Sequence, residues 1–297
     1  METIYNKLWK DKGKPRVTIL TPVYNRRDVL PRAMNSVANQ TCHDIEYIVV
    51  NDGSIEPLDD IVQEFMEKVD FPMAYIKKLN GGVHTARNAA IRISRGEYIL
   101  FLDSDDEYIN TSVETWLKAW DSIPHDEQSR YMDVIAYCMD HTGHKTDITE
   151  GMLRGDLMRE TLWPEPEGVK FVVEGITWRR LTNAGYRHYR IENALYMYHL
   201  EQNDSFTNTH QNKRLQKQEL INRLFNEKYC FEHSSELGIG FKEKIQRGIR
   251  CQTYAALLRK MGEYPSYQWA IIRDGLLKTL KIPGIIVSLI YEKRNSE

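Results

Sequence analysis

The stretch Tyr98-Ile99-Leu100-Phe101-Leu102-Asp103-Ser104-Asp105-Asp106 decides the reading of this 297-residue chain. An apolar run of strand character ends in three carboxylates within four residues. Uncompensated charge at the end of a buried strand carries a desolvation cost. A divalent cation bridging to a phosphate offsets it. In an extended chain Asp103 and Asp105 point the same way and can share one ion. Mg²⁺ typically takes one or two carboxylates plus substrate phosphates. By itself Asp-x-Asp fits a polar loop after a core strand equally well, so the neighbouring elements must decide.

Working outward, strand and helix signals alternate. Val17–Val23, Ile45–Val50, Met73–Leu79 and Tyr98–Leu102 read as buried strands. Asp28–Gln40, Asp59–Val69, Thr85–Arg95 and Ser112–Ile123 read as amphipathic helices between and after them. This order predicts an α/β fold with a Rossmann-like, mostly parallel central sheet flanked by helices. Ligands of such sheets bind outside the carboxyl ends of the strands. Here those ends read Tyr24-Asn25, Asn51-Asp52-Gly53, Asn80-Gly81-Gly82 and Asp103-Ser104-Asp105. Four polar or glycine-bearing ends converging on one rim make a site the expected outcome.

Beyond residue 124 the pattern loosens. A strand is expected over Asp133–Met139, a hairpin or loop over His141–Glu150, and a short helix over Asp156–Trp163. Thr177–Ala184 reads as a helix closed by Gly185, and Arg187–His199 as extended. A polar loop over Asn203–Gln211 precedes helices at Lys213–Glu227 and Phe241–Met261.

Composition narrows the function classes. The net charge of −2 gives no basic face for nucleic acid. Cys42, Cys138, Cys230 and Cys251 match no metal or redox spacing and suit a reducing cytosol. Met1–Pro15 lacks an apolar signal core, and no run approaches the length of a transmembrane helix. A cytoplasmic protein is expected.

Four ordered blocks carry a family likeness. Val17-Thr18-Ile19-Leu20-Thr21-Pro22-Val23-Tyr24-Asn25-Arg26 resembles an opening strand with a P-x-Y-N turn, and Tyr47 to Ser54 resembles a V-D-D-G-S block with Asn51 in place of the first acid. Asn80-Gly81-Gly82 with Ala86-Arg87-Asn88, and Gly96 to Asp106, supply the other two. The chain is identified as similar to the family 2 glycosyltransferases, inverting nucleotide-sugar enzymes of GT-A fold, non-processive and bacterial in type. The likeness is dense over 16–110 and thinner to about 206. It implies a catalytic domain over 16–210, with a donor-binding half (16–110) and an acceptor half (111–210). An N-terminal extension (1–15) and a helical C-terminal region (211–297) flank it.

The resemblance assigns the donor site to Pro22, Tyr24, Asn25, Asp52, Gly53, Gly81, Gly82, Arg87, Asp103 and Ser104. Tyr24 suits stacking on a base, or packing at the rim. Asp52 suits a base N–H, and is also a turn former before Gly53. Gly81 and Gly82 let backbone approach a substrate or simply turn the chain. Arg87 suits a diphosphate, a neighbouring acid, or solvent. The implied cofactor is Mg²⁺ or Mn²⁺ on Asp103 and Asp105, with His199 as a further contact and Asp106 as an auxiliary. The implied partners are a nucleotide-diphosphate sugar, UDP- before GDP-, and a glycan or lipid-linked acceptor, with no nucleic acid.

An inverting transferase needs one general base for the acceptor hydroxyl. The family's acid pair before a helix falls here on Val173-Glu174, ahead of Thr177-Trp178-Arg179-Arg180-Leu181, and points to Glu174. Apolar neighbours Phe171, Val172 and Val173 are expected to raise its pKa. A helix N-terminal acid is the plainer reading. Leu195-Tyr196-Met197-Tyr198 resembles an aromatic stretch that suits the acceptor side or the core.

Gln211-Asn212-Lys213-Arg214 is followed by Leu215, not by the tryptophan of processive synthases. Single addition is therefore expected. Trp269, Ile272, Leu276 and Leu280, interleaved with Arg273, Lys278 and Lys281, predict an amphipathic helix. Ile282–Tyr291 and Lys293-Arg294 follow it. It suits docking at the inner face of the cell membrane, packing on the catalytic domain, or a dimer contact. The rival enzyme is a sugar nucleotidylyltransferase, which opens with a Gly-rich basic loop absent from Thr21–Arg26. The non-enzyme rival is a nucleotide- or glycan-binding scaffold, supported by Val173.

Overall fold

The computed structural model describes residues 1–199 and 217–288, apart from 273, 282 and 286. The expected loop Asn203–Gln211 and the Gln211–Arg214 motif lie outside the described residues, as do Arg273 and the chain after Ser288.

Among the described residues nine strands form one sheet in the order β1-β4-β3-β2-β5-β8-β7-β9-β6. They are β1 (Glu2–Tyr5), β2 (Val17–Val23), β3 (Ile45–Asn51), β4 (Met73–Lys77), β5 (Tyr98–Phe101), β6 (Glu107–Tyr108), β7 (Tyr131–Asp140), β8 (Lys145–Arg154) and β9 (Arg187–Tyr198). The centre is parallel: β3 and β5 flank β2, and β4 joins β3. Every residue of β2 and of β3 is buried, as both-face coverage of a parallel sheet requires. The chain runs β2-β3-β4 outward on one side, then returns to place β5 on the other. The carboxyl ends of β2 and β5 therefore border a topological switch point, where such sheets bind ligands. The far half of the sheet mixes directions: β8 pairs antiparallel to β5 and β7, and β9 lies parallel to β7.

The helices are α1 (Leu8–Asp11), α2 (Leu30–Ala38), α3 (Asp59–Lys68), α4 (Val83–Ile93), α5 (Ser112–Asp121), α6 (His125–Gln128), α7 (Gly155–Glu160), α8 (Gly175–Asn183), α9 (Lys217–Glu232), α10 (Phe241–Lys260) and α11 (Gly275–Thr279). One face of each long early helix enters the core, as with Val113, Trp116, Leu117 and Trp120 of α5. Tyr108 packs edge-on against Trp116 and Tyr196, with ring centroids 5.5 Å apart in both pairs.

Two compact units result: Met1–Leu162 with Gly185–Glu201, and Trp163–Ala184 with Gln202–Glu297. Residues 1–15 are not a free extension, because β1 pairs antiparallel with β4 and closes that edge. The segment Trp163–Ala184, expected inside the catalytic domain, clusters with the C-terminal region. Gly185, at φ 99°, closes α8 as expected. The amphipathic helix expected from Trp269 to Leu280 is broken into a 3₁₀ turn (Gln268–Ala270) and α11, which Asp274 caps. Leu277, off the expected stripe, is the fully buried residue there, while Leu276 is exposed.

Candidate active site

The rim at the carboxyl ends of β2, β3 and β4 is a set of interlocked turns. Asn25 is the one non-glycine residue of positive φ, 53°, among those described. Asn tolerates that region with little strain. Its N–H donates to Ser54 Oγ at 3.0 Å, and its Oδ1 accepts the Ile55 N–H at 2.9 Å. Asn51 accepts the Ser54 N–H at 2.8 Å and donates to the Tyr75 hydroxyl at 3.2 Å. The amide standing in place of the family's acid is therefore a fastener between strand ends.

Asp52 is 2% exposed. Its Oδ1 accepts Lys78 Nζ at 2.5 Å and the Gly81 N–H at 3.0 Å, while Oδ2 accepts the Gly82 N–H at 2.8 Å. As placed, it builds the Asn80-Gly81-Gly82 loop and does not present an open face to a base. Gly53, at φ 80°, lies so close to that loop that a Cβ would stand 2.6 Å from Asn80 N. Gly82, at φ 95°, starts α4. Tyr24 is 46% exposed on the rim, whereas Pro22 is buried within β2 and shapes the strand without offering a surface. Lys78 is a site residue the sequence reading missed. Its signal was a lysine just past a strand end, one strand over from Asp52-Gly53.

The acidic segment is a turn. β5 ends at Phe101, and the Asp106 N–H donates to the Asp103 carbonyl at 3.2 Å. Strand alternation therefore does not align Asp103 with Asp105; the turn places them. Asp103, its side chain 47% exposed, pairs with Arg87 Nη2 at 3.1 Å. The Arg87 guanidinium carbon lies 5.2 Å from the Phe101 ring centroid. Asp105 Oδ2 stands 3.9 Å from Arg26 Nε, and Arg32 donates to the Asp105 carbonyl. Burial, with the Asp103 charge, pushes the Asp105 carboxyl up from its ordinary value. Ser104 is buried in the turn. Asp106 is more buried still and accepts the Tyr196 hydroxyl and the His199 N–H, both at 2.8 Å. Burial pushes its pKa up to about 7.

His199 Nε2 stands 2.8 Å from Glu107 Oε1. Among the described residues no group of three or more His, Cys, Asp or Glu is gathered to hold a metal ion. His199 therefore does not complete a three-ligand cage with Asp103 and Asp105. Two carboxylates on one turn, those of Asp103 and Asp105, still fit Mg²⁺ or Mn²⁺ whose remaining ligands are phosphate oxygens and water.

Glu174 belongs to the other unit, so the two halves of the expected chemistry lie on different compact bodies. It is half-buried at the start of α8, and its carbonyl accepts the Thr177 N–H at 2.9 Å. The loop before it is strapped to α9. Gln218 Nε2 donates to the Gly168 carbonyl at 2.8 Å, Asn222 Oδ1 accepts the Lys170 N–H at 2.9 Å, and Asn226 Oδ1 accepts the Val173 N–H at 3.0 Å. Residues four apart share one helix face, so three amides form a ladder along the loop. The sequence reading missed this ladder.

Residues 18–150, which hold the whole of this rim, match the model of glycosyl transferase family 2. They are a family 2 glycosyltransferase domain. A poly(ribitol-phosphate) beta-glucosyltransferase of Bacillus spizizenii is 34% identical over 143 residues, 47% of this chain and 19% of that protein. The chain spans at most 26% of the length of three further curated glycosyltransferase relatives. S. aureus TarS in complex with UDP superposes with TM-score 0.56 at 16% identity, covering 94% of this chain and 91% of that one. The Pyrobaculum calidifontis mannosyltransferase PcManGT, in complex with GDP-Man and Mn²⁺, gives TM-score 0.53 at 16% identity, over 96% and 89%. The fold is GT-A. No helix among the described residues is long and apolar enough to cross a membrane.

Proposed function

We propose that this family 2 protein is an inverting glycosyltransferase. It moves one sugar from a nucleoside diphosphate sugar, UDP-linked in the first instance, to a hydroxyl of a glycan or lipid-linked saccharide in cell-surface polymer assembly. The observation that carries this reading is the acidic turn Asp103–Asp106, set at the switch point and flanked by Arg26, Arg32 and Arg87. The name of the glucosyltransferase relative and the UDP and Mn²⁺ complexes of the structural neighbours support it.

Asp103 and Asp105 would hold Mg²⁺ or Mn²⁺, which neutralises charge on the departing diphosphate. Arg87 orients Asp103, and Arg26 and Arg32 border Asp105 on the phosphate side of the rim. The exposed Tyr24 ring offers a stacking face to the base. Glu174 takes the proton from the acceptor hydroxyl as its oxygen bonds to the anomeric carbon. The anomeric carbon–phosphate oxygen bond breaks, and the nucleoside diphosphate leaves from the opposite face. Any contact with the inner membrane face brings lipid-linked acceptors to this chemistry.

The test is a panel of nucleotide sugars scored by thermal shift and donor hydrolysis, with and without Mn²⁺. At least one donor should bind in a metal-dependent way, and Asp105→Asn should abolish that dependence. Glu174→Gln should bind donor normally and lose transfer. Absence of any metal-dependent donor binding would overturn the reading, and normal transfer by Glu174→Gln would move the base elsewhere.

A further inference from the structure

A second charged hollow lies at the opposite, amino ends of the central strands. Lys12, Gly13, Lys14, Ser94, Arg95 and Arg159 line a cavity of about 460 Å³. Lys12 to Lys14 lead into the amino end of β2, and Ser94-Arg95 lead into the amino end of β5. The donor rim is at the carboxyl ends of those same strands, so the two places are distinct.

Four of the six lining residues are cations and none is acidic. Arg95 alone has a carboxylate: its Nε lies 2.7 Å from Glu46 Oε2, and its N–H donates to Glu46 Oε1 at 2.6 Å. Glu46 is fully buried in β3 and also accepts Thr18 Oγ1 at 2.6 Å. That ion pair, the Nη1 bond to the Trp9 carbonyl at 2.7 Å and the Trp9 ring 4.2 Å from its guanidinium carbon fix Arg95 in place. Its Nη2 is buried with no hydrogen-bond acceptor among the described residues. Arg159 spends Nη1 on Ser94 Oγ and the Gly96 carbonyl, both at 3.2 Å. Lys12 donates to the Asp70 carbonyl. These are neutral acceptors, so the charges of Lys12, Lys14 and Arg159 meet no carboxylate among the described residues.

Three uncompensated cations around one hollow repel one another, and a bound anion relieves that repulsion. Guanidinium groups beside ammonium groups match the oxygens of a phosphate better than a single carboxylate does. Gly13 has open space where a Cβ would stand, so a ligand can approach the backbone there closely. Pro15 buries its ring and restricts Lys14 to an extended conformation, which keeps the basic segment at the cavity edge.

We propose that this cavity is a binding site for a phosphate-bearing group, carried either by a lipid headgroup or by a soluble phosphate. The site does not depend on the donor chemistry and stands whether or not the transferase reading holds.

The experiment uses the full chain with two probes. Inorganic phosphate is titrated calorimetrically at ionic strength held constant with chloride. Vesicles of phosphatidylcholine, with and without phosphatidic acid, are used for flotation. Lys14→Glu is the test variant, because Lys14 is exposed and makes no hydrogen bond or ion pair among the described residues. Arg159→Gln is the second, with circular dichroism as the folding check. Wild type should bind at least one probe saturably, and Lys14→Glu should bind roughly tenfold more weakly. Phosphate binding without flotation identifies a soluble ligand, and flotation only with phosphatidic acid identifies a headgroup. Failure of wild type to bind either probe, or equal binding by Lys14→Glu and folded Arg159→Gln, would overturn the proposal.

Discussion

The hydroxyl of Tyr196 closes the acidic turn: it accepts the Asp103 N–H at 3.2 Å and donates to Asp106 Oδ2 at 2.8 Å. One phenol on β9 thus ties both ends of a turn 90 residues away. Tyr196→Phe keeps the ring against Tyr108 and removes both bonds. Asp106, raised in pKa by burial, is left with the His199 N–H as its remaining donor from β9's end. Unfolding free energy should fall by about 1–3 kcal/mol, the range for a buried group left unsatisfied. On the proposed reading, metal-dependent donor affinity falls with it. Urea unfolding and a donor titration measure the two. Unchanged stability would show that water replaces the hydroxyl.

Lys78 and Asp52 make a second buried joint, with side chains 14% and 3% exposed. Lys78→Met strands a buried carboxylate, which costs about 3–5 kcal/mol. The double variant Asp52→Asn/Lys78→Met removes the stranded charge and should recover part of that loss. Chemical denaturation of wild type, both single variants and the double variant completes the cycle. A double variant as unstable as the sum of the singles would deny the coupling.

What was legible in the sequence follows from what is local. The parallel strands were readable because β-branched runs buried on both faces stop at glycines, amides and acids. The residue types on the rim were readable for the same reason. Their fastenings were not: Lys78 reaches Asp52 across 26 positions, and Tyr196 reaches Asp106 across 90. The edge strand β1 has four residues and an exposed-to-half-buried pattern, too short for a periodic signal. The assignment of Glu174 and the acidic turn to different compact units was also illegible. The chain leaves the sheet at the end of β8, Arg154, and rejoins it at Arg187, and the unit boundaries at Leu162 and Gly185 fall inside that excursion.

His188 Nδ1 lies 2.9 Å and 3.0 Å from the two oxygens of Asp133. The hydrogen bond to Asp133 raises the His188 pKa above its ordinary 6.5. A group raised on folding stabilises fully below its unfolded pKa, and that contribution disappears as pH rises through the folded value. The stabilisation is therefore full below pH 6.5 and declines as pH rises from there through the raised folded value. The imidazole is partly exposed, so screening limits the effect to roughly 0.5 kcal/mol, on the order of 1–2 °C in Tm. Wild type should exceed His188→Gln in Tm at about pH 6 and lose the advantage by about pH 9. An equal difference at both values would assign the effect to packing.

Asn226 is the rung of the amide ladder nearest Glu174. Its Oδ1 accepts the Val173 N–H at 3.0 Å, and its Nδ2 donates to the Phe171 carbonyl at 3.1 Å. It fixes the backbone on the residue before the proposed base without touching the reacting atoms, so it is a positioning residue. Asn226→Ala frees both backbone groups, and Asn226→Asp keeps only the acceptor. If Glu174 is the base, kcat for transfer should fall about tenfold or more in Asn226→Ala, with donor KM nearly unchanged. Asn226→Asp should recover part of kcat through the bond to Val173. A loss of stability without this split between kcat and KM would make the ladder purely structural and detach it from the chemistry at Glu174.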